Sequence, residues 1–452
     1  MVARVAGGVS RAAGRGGGTS LPGKVLTRLD PHAIGKLARR LPQGSVVLSA
    51  TNGKTTTAAM IAAVLERRGT RLVHNRAGAN MAGGIASTLL DAARRDGIDG
   101  DLGLFEVDEL WLPQLVAELR PRAILLGNLF RDQLDRYGEL ETIADRWAEV
   151  VGGLDPDVRL VLNADDPLVA DLGRKRRNVT YFGVGDDTMA LAQMQHAADS
   201  KHCRNCGHAY VYEAVYLGHL GRYRCPHCGR ERPAADVVAE RVTLHGTRSA
   251  DVALRVGARA VDVALPLPGL YNVYNALGAA ALCHALDVDL DDVVAGLRSV
   301  AAAFGRAETI ELEGRALSIL LVKNPAGANE VLRTLALENG AGGDGIDVLA
   351  VLNDNTADGR DVSWVWDADF ELLAGRARRV TCAGTRAAEL ALRLKYAGIE
   401  PARIAVVPEL SAALDAARAD GDGPLYALPT YTALLELRDL LARRGVAPEY
   451  WR

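Results

Sequence analysis

Ser45-Val-Val-Leu-Ser-Ala-Thr-Asn-Gly-Lys-Thr-Thr-Thr57 runs from a short apolar, β-branched stretch through a tight Asn-Gly turn into residues that open a helix reaching about Arg68. In that setting successive backbone N–H groups and the helix N-terminus form a cradle for phosphate. Lys54 adds a mobile positive charge, and the Thr55 hydroxyl is a ligand for Mg²⁺. The strict phosphate-loop pattern has Gly at position 48, where this chain has Leu48. The placement between strand and helix therefore carries the reading. Thr51, Asn52, Gly53, Lys54, Thr55 and Thr56 are the candidate nucleotide-binding residues.

Outward from this loop, short β-branched runs alternate with amphipathic helical patterns. Strands are expected at Val46–Ala50, Arg71–Asn75, Leu102–Asp108, Ala123–Leu129, Arg159–Ala164 and Val179–Gly183. The alternation predicts an α/β domain whose mostly parallel sheet is covered by helices on both faces. The pattern breaks near His196, and residues 200–232 turn to Cys, His, Tyr, Arg and Gly, as an inserted module would. A helical run follows at Tyr271–Leu286, and Phe304–Glu308 punctuates the chain like a joint. A second alternating series then begins, with strands at Ser318–Lys323, Asp347–Asp354, Arg379–Gly384, Ile404–Pro408 and Leu425–Pro429. The expected organisation is a lead-in over 1–40, a nucleotide-binding domain over 41–307 and a smaller α/β domain over 308–452. Ligands of open sheets sit at the carboxyl ends of the strands, so the site should lie between the two domains.

Magnesium needs further oxygen ligands, and Leu102-Gly-Leu-Phe-Glu-Val-Asp-Glu109 is an apolar strand ending in acids. Glu106 is the candidate second ligand, with Asp108 on the same face if the strand extends that far.

Composition bounds the remaining choices. The chain has 452 residues, 53 Lys+Arg against 56 Asp+Glu and 49% hydrophobic residues. That near-balance of charge speaks against a protein held on nucleic acid by phosphate contacts alone. Length suggests two or three domains. No run of about 18 apolar residues exists to span a bilayer, and residues 1–18 lack the apolar core of a secretory signal, so a cytoplasmic location is expected. Arg4, Arg11 and Arg15 in that tail offer a basic contact with an anionic membrane surface, against the plainer alternative of a frayed tail.

Of six cysteines, four form two pairs, Cys203-Arg-Asn-Cys206-Gly and Cys225-Pro-His-Cys228-Gly, eighteen residues apart. Two C-x-x-C knuckles, each followed by the Gly that the turn requires, predict a structural Zn²⁺ ribbon with four cysteine ligands. Cys283 and Cys382 sit in apolar runs and read as core residues.

Taken in order, Thr51–Thr55, Glu106, Asn163-Ala-Asp-Asp-Pro167, Gly269-Leu-Tyr-Asn-Val-Tyr-Asn275 and Phe304-Gly-Arg-Ala-Glu308 resemble the motifs of the Mur ligases, which join amino acids to peptidoglycan precursors. Asn80-Met81, Asn128-Leu-Phe-Arg-Asp-Gln-Leu-Asp-Arg-Tyr-Gly138, the four-cysteine insert, Lys323-Asn-Pro-Ala-Gly327 and Asn353-Asp-Asn-Thr-Ala-Asp-Gly-Arg-Asp-Val-Ser-Trp364 are similar to the MurT branch, the synthetase subunits of lipid II isoglutaminyl synthases.

The resemblance implies a Mur ligase-type P-loop central domain carrying the zinc ribbon, a smaller Rossmann-like C-terminal domain, and no domain for a uridine nucleotide. It implies ATP-dependent amidation of the α-carboxyl of D-isoglutamate in the lipid II stem peptide. The nitrogen is ammonia released from glutamine by a separate glutaminase subunit, GatD. ATP, Mg²⁺ and Zn²⁺ are the implied cofactors, and the inner face of the cell membrane is where lipid II would be met. Carried over by position, Lys54 and Thr55 match the phosphate and Mg²⁺ residues, Glu106 the second metal ligand, Asn272 and Asn275 the adenine side, and Arg306 an arginine near the phosphates. Two positions depart from the amino-acid-adding ligases. Gln133 stands where they have His, and Ile319–Lys323 lacks the acid that precedes their His-Asn-Pro motif.

Chemistry agrees with a two-subunit scheme. Glutamine hydrolysis needs an activated Cys beside a His, and neither Cys283 nor Cys382 lies in a turn suited to that work. In the acidic loop Asn353–Asp361, the resemblance points to Asp361 as the residue that orients the partner's catalytic His, with Asp354 and Asp358 as runners-up. A solvated Asx turn is the plain alternative. Other readings are a Mur-type or folylpolyglutamate-synthase-like amino-acid ligase, and a P-loop protein binding nucleic acid through the arginine-rich ribbon.

Overall fold

The computed structural model describes residues 20–447, apart from 77–78, 133–139, 196–197, 301–305, 339–344, 420 and 422. Gln133 and the side chain of Arg306 lie outside the described residues. Two short helices, Leu21–Leu29 (α1) and Ala33–Ala38 (α2), precede the first strand, Ser45–Ser49 (β1). Then come Lys54–Arg67 (α3), Leu72–His74 (β2), Ala82–Ala92 (α4), Leu102–Glu106 (β3), Leu112–Leu119 (α5), Ala123–Leu126 (β4), Leu140–Gly152 (α6), Arg159–Asn163 (β5) and Val179–Val184 (β6). Strands β1, β3 and β4 are buried along their whole length. They read as continuous apolar runs because helices cover both faces of the sheet. All six expected strands of this series are present.

The next strands lie outside the expected series. Val211–Leu217 (β7) and Leu220–Arg224 (β8) form a separate two-stranded hairpin, followed by Val237–His245 (β9), Ser249–Val256 (β10) and Arg259–Leu265 (β11). The first sheet has nine strands in the order β11-β10-β9-β6-β5-β4-β1-β3-β2. Its pairs are parallel from β2 as far as β9 and antiparallel across β9-β10-β11. Six of the eight pairs are parallel, so the sheet is mostly parallel as the sequence pattern predicts, with an antiparallel edge that the pattern leaves out. Gly246 and Gly257, at φ +59° and +58°, turn the two hairpins of this antiparallel edge.

Helices Leu270–Ala285 (α7) and Leu290–Arg298 (α8) return over the sheet, and α7 and α8 both pack on α3. The second sheet comprises Arg306–Leu312 (β12), Arg315–Leu320 (β13), Ile346–Val351 (β14), Ala377–Ala383 (β15), Ile404–Val406 (β16) and Leu425–Pro429 (β17), in the order β12-β13-β17-β14-β15-β16. Only β12-β13 is antiparallel. Helices Pro325–Leu335 (α9), Ala387–Tyr396 (α10), Leu410–Ala419 (α11) and Tyr431–Arg443 (α12) cover it. Each sheet carries an apolar core on either face.

Helix α9 joins the two sheets. Asn324 caps it, accepting from the Gly327 N–H at 2.9 Å, and Pro325 fills its first turn. Arg333 donates to the carbonyls of Tyr216 and Met189, both at 2.8 Å. Glu330, one turn earlier, is buried with Oε1 lacking a hydrogen-bond partner. Burial pushes this carboxyl up to about 7, with Arg333 pulling it partly back. Between the ordinary carboxylate range and that value the native state holds a proton the unfolded chain has lost. Stability therefore falls as pH rises through the window, and the deficit is complete above it. Glu330→Gln should match the parent near about pH 4 and exceed it near about pH 8 by up to about 3 kcal/mol in urea unfolding.

Candidate nucleotide and metal sites

The phosphate loop is held in shape by three asparagines and a glycine. Gly53 sits at φ +87°, and a Cβ placed there would lie 1.9 Å from Asn275 Oδ1, so only glycine fits the turn. Thr57 Oγ1 donates to Asn275 Oδ1 at 3.3 Å, Asn275 Nδ2 to Asn272 Oδ1 at 3.0 Å, and Asn272 Nδ2 to the Pro268 carbonyl at 2.8 Å. Asn272 and Asn275 thus stand against the loop. On the other side Asn128 takes the Asn52 N–H at 2.9 Å and returns its amide to the Asn52 carbonyl at 3.0 Å. Thr51 Oγ1 accepts the Phe130 N–H at 3.1 Å. In the sequence Asn128 stands out only as part of a motif; its clamp on Asn52 depends on β4 lying beside β1.

Thr55 Oγ1 and Glu106 Oε2 are 2.9 Å apart. Two oxygens on adjacent corners of an octahedron about 2.1 Å from Mg²⁺ stand about 3.0 Å apart, close to this pair's separation, so the pair fits that ion. Asn75 fixes the end of β3 by accepting the Glu106 N–H at 3.0 Å and donating to the Glu106 carbonyl at 2.8 Å. The strand ends at Glu106. Asp108 is therefore off the strand face; its carboxylate accepts the Leu110 N–H at 3.1 Å.

Lys54 is buried, at 8% exposure. It donates to the Ala50 carbonyl and to Glu109 Oε2, the latter at 2.8 Å. Burial pulls its pKa down, but Glu109, Glu106 and Asp108 outweigh it and hold the ammonium above its ordinary range. Glu109 is likewise buried yet held below the usual carboxylate range by Lys54 and then Lys323. Lys323 arrives from the second sheet, pairs with Asp132 and donates to the Thr51 carbonyl at 3.3 Å. Beside it Asn324 Nδ2 donates to Asn52 Oδ1 at 3.0 Å. Desolvation pushes Asp132 up despite Lys323. Glu109, Asn75 and Asp132 carry no local signal of these roles.

The four expected thiols converge. One sulfur atom from each of Cys203, Cys206, Cys225 and Cys228 lies within 4.8 Å of all the others, with Cys203–Cys228 at 3.6 Å and Cys206–Cys225 at 3.4 Å. Four thiolates about 2.3 Å from a tetrahedral ion stand about 3.8 Å apart, which this cluster nearly matches. Gly207 and Gly229 close the knuckles at φ +76° and +70°. His208 and His227 stack at 4.0 Å on the exposed side.

The knuckles frame a hairpin that reaches the phosphate loop. His219 at its tip is fully buried, packs on Phe130 at 4.7 Å between ring centroids, and has Nε2 3.4 Å from Asp166 Oδ2. Asp166 accepts the Leu129 N–H at 2.8 Å. Just past the knuckles, Arg232 pairs with Asp165 at 2.5 Å, and Asp165 accepts the Tyr274 hydroxyl at 2.6 Å. The module therefore braces both Phe130, which binds Thr51, and the helix that carries Asn275.

In the second sheet's loop the three aspartates differ. Asp354 pairs with Arg386 at 2.8 Å, and Asp358 is buried and binds the Thr432 N–H at 2.7 Å. Asp361 is exposed, and hydrogen bonds from Ser363 hold its carboxyl low. Cys283 and Cys382 are buried, and burial pushes both thiols up to about 12. Neither is an available thiolate.

Residues 49–225 match the family model for the Mur ligase middle domain, and 321–434 match the MurT ligase C-terminal model. The chain is 33% identical, over 98% of its length and 97% of the relative's, to the lipid II isoglutaminyl synthase (glutamine-hydrolyzing) subunit MurT of Staphylococcus aureus strain N315. It is 32% identical to the subunit of that name from Streptococcus pneumoniae, over 95% of this chain and 94% of the relative. Among solved structures, a pseudomurein peptide ligase type C from Methanothermus fervidus aligns with TM-score 0.67 and 21% identity, covering 89% of this chain and 79% of that one. The Thermotoga maritima MurF ligase in complex with ADP aligns with TM-score 0.64 and 15% identity, covering 92% and 84%. These likenesses show a Mur ligase-like α/β fold.

Two outcomes follow from the geometry. Gly53→Ala forces a Cβ onto Asn275 at a left-handed φ, so ATP affinity by calorimetry should fall about tenfold or more while the far-ultraviolet circular dichroism is kept. Cys203→Ser should abolish zinc retention by elemental analysis. Because the hairpin tip braces Phe130, it should also weaken ATP binding.

Proposed function

The chain belongs to the MurT family, Mur ligase-type ATP-dependent subunits of lipid II isoglutaminyl synthase in peptidoglycan synthesis, and on that premise we propose that it amidates the α-carboxyl of D-isoglutamate in the lipid II stem peptide. A carboxylate and ammonia do not condense at neutral pH, because carboxylate oxygen is no leaving group. Phosphoryl transfer from ATP to that oxygen gives an acyl phosphate and ADP. The ammonia lone pair then attacks the carbonyl carbon, phosphate leaves with the C–O electron pair, and the surplus proton passes to solvent.

The observation that carries the reading is the Thr55–Glu106 pair beside a charged, buried Lys54 at the Gly53 turn. Lys54 stays protonated while desolvated, so its charge acts on the transferring phosphoryl group at low dielectric. Thr51, Asn52 and Thr56 line the phosphates with it, Asn272 and Asn275 take the adenine side, and Arg306 is assigned to the phosphates by position in the family motif. Mg²⁺, held by Thr55 and Glu106, supplies neutralisation of the phosphate charge. Lys323 and Asn324 bring the second sheet onto the phosphate loop, which excludes water from the reacting carboxylate. Zn²⁺ on Cys203, Cys206, Cys225 and Cys228 has a structural role, since four thiolates leave no open position.

The ammonia comes from a glutaminase subunit, GatD, in a heterodimer. Support comes from the two buried cysteines, neither of them a usable nucleophile. Asp361, exposed where Asp354 and Asp358 are engaged, is assigned to orient the partner's catalytic His. The domains proposed are 41–307, with the ribbon at 200–232, and 308–452. No described helix is long and apolar enough to cross a membrane. We assign the chain to the cytoplasm, working at the inner membrane face, without nucleic acid as a partner.

Mass spectrometry of lipid II incubated with the chain, ATP, Mg²⁺ and ammonium chloride should show one carboxyl converted to amide, and glutamine alone should give none until the glutaminase subunit is added. Amidation of no carboxyl under either condition overturns the assignment. In the two-subunit enzyme Asp361→Asn should cut glutamine-driven turnover by about 100-fold or more and spare the ammonium-driven reaction; equal loss of both removes Asp361 from that role.

A further inference from the structure

We propose that the solvent face of α1 docks on an anionic lipid bilayer; the proposal rests on the lipid-linked acceptor assigned above. Leu21, Lys24, Arg28 and Leu29 are all exposed, at spacings i, i+3, i+7 and i+8 that place them on one side of the helix. Leu29 is 67% and Leu21 42% exposed, unusual for leucine in a helix already packed on a core.

The opposite side of α1 is closed. Pro22 and Gly23 are buried, a Cβ on Gly23 would lie 1.8 Å from the Gly83 carbonyl oxygen, and the Gly23 N–H donates to Ser87 Oγ at 2.8 Å. Helix α1 is thus fixed on α4, with the Lys24 stem lying across Gly83 at the edge of the packed side and Leu21, Arg28 and Leu29 exposed.

Charge selects the partner. Residues 1–29 contain Arg4, Arg11, Arg15, Lys24 and Arg28 and no acid, in a chain of net charge −3. Neither Lys24 nor Arg28 has a carboxylate partner among the described residues. Beside α2 a cleft of about 190 Å³ is lined by His32, Gly35 and Arg39 together with Ala117, Glu118 and Arg120. Arg39 and Arg120 also lack a carboxylate partner among the described residues, and Glu118 is the single acid of the cleft.

A protein–protein interface concentrates apolar side chains at its centre and loses charge there. Here cations and exposed leucines interleave, which is the pattern of a helix lying at the headgroup boundary of an anionic membrane. Position fits as well. The first turn of α1 abuts the first turn of α4, and Asn80, just ahead of α4, accepts the Asp108 N–H at 2.9 Å, two residues beyond Glu106. A bilayer on this face would hold a lipid-linked acceptor close to the metal-binding strand end.

The test is co-sedimentation of the full chain, alone and with the glutaminase subunit, on vesicles of phosphatidylcholine with or without phosphatidylglycerol. Binding should require the anionic lipid, fall with salt, and weaken about tenfold or more in K24E/R28E. Leu29→Ser should weaken it without changing the salt dependence. Ammonium-driven amidation of detergent-solubilised lipid II should be unchanged in these variants, which also certifies their fold. Equal binding to neutral vesicles, no binding to anionic ones, or binding insensitive to K24E/R28E overturns the proposal while that amidation persists. Loss of amidation in the parent chain instead strikes the reading of function.

Discussion

A buried ammonium cannot stand alone in a folded protein, and the neighbourhood of Lys54 is organised by that constraint. Desolvating the charge costs several kcal/mol unless carboxylates and hydrogen bonds offset it. Glu109, Glu106 and the Ala50 carbonyl do so here. The same groups define the site: Glu106 bonds to Thr55, Glu109 feels the approach of Lys323, and Ala50 begins the loop that Thr51 continues. Taking away one carboxylate leaves a buried charge half-compensated, so the acids of this cluster contribute to stability and to chemistry together.

Three separate parts of the chain converge on that loop. The first sheet sets it by register, since Leu48 pairs with Glu106 and Ser49 with Leu126, which brings the Mg²⁺-fitting acid and the Asn128 clamp to the two sides of β1. The cysteine module braces it from behind through His219 on Phe130 and Arg232 on Asp165. The second sheet touches it from the front through Lys323 and Asn324. A four-thiol knuckle pair with its own small core can thus serve as a stiffener for a phosphate site without supplying any reacting group.

How much of this is legible in the sequence depends on the range of each signal. Lys54, Thr55 and Gly53 act within one turn, so a local pattern reveals them. The four cysteines declare themselves by spacing, and the apolar strands by uniform burial. Glu109, Asn75 and Asn128 acquire their roles only when β3 and β4 lie in register beside β1, and no local pattern encodes that. The antiparallel edge over Val237–Leu265 escapes for a different reason. Its strands carry exposed Arg and Asp on one face, as at Arg241, Asp251 and Asp262, which interrupts the continuous apolar run sought for a buried strand. Alternation with turn glycines at Gly246 and Gly257 is the signal available. Neither Arg306 nor Gln133 gains structural content, since the Arg306 side chain and the whole of Gln133 fall outside the described residues.

On the proposed mechanism, the contact between the two sheets bears on why an activated acid would survive long enough for ammonia to find it. An acyl phosphate in reach of water is lost to hydrolysis, so the surfaces that meet over the phosphate loop must close with polar groups already matched. The Asn52–Asn324 pair achieves this: each side-chain amide donates to the other's carbonyl, at 3.3 and 3.0 Å, so closure leaves both with a partner. Asn324 also caps α9, whose Arg333 anchors on the Tyr216 and Met189 carbonyls. One asparagine therefore starts α9 and meets the phosphate loop, so the second sheet and the loop share a residue. Glu330 is buried on the same helix, and burial raises its carboxyl to about 7. A neutral carboxyl favours the packed arrangement and an ionised one opposes it, so the native fold is more stable below that value than above it.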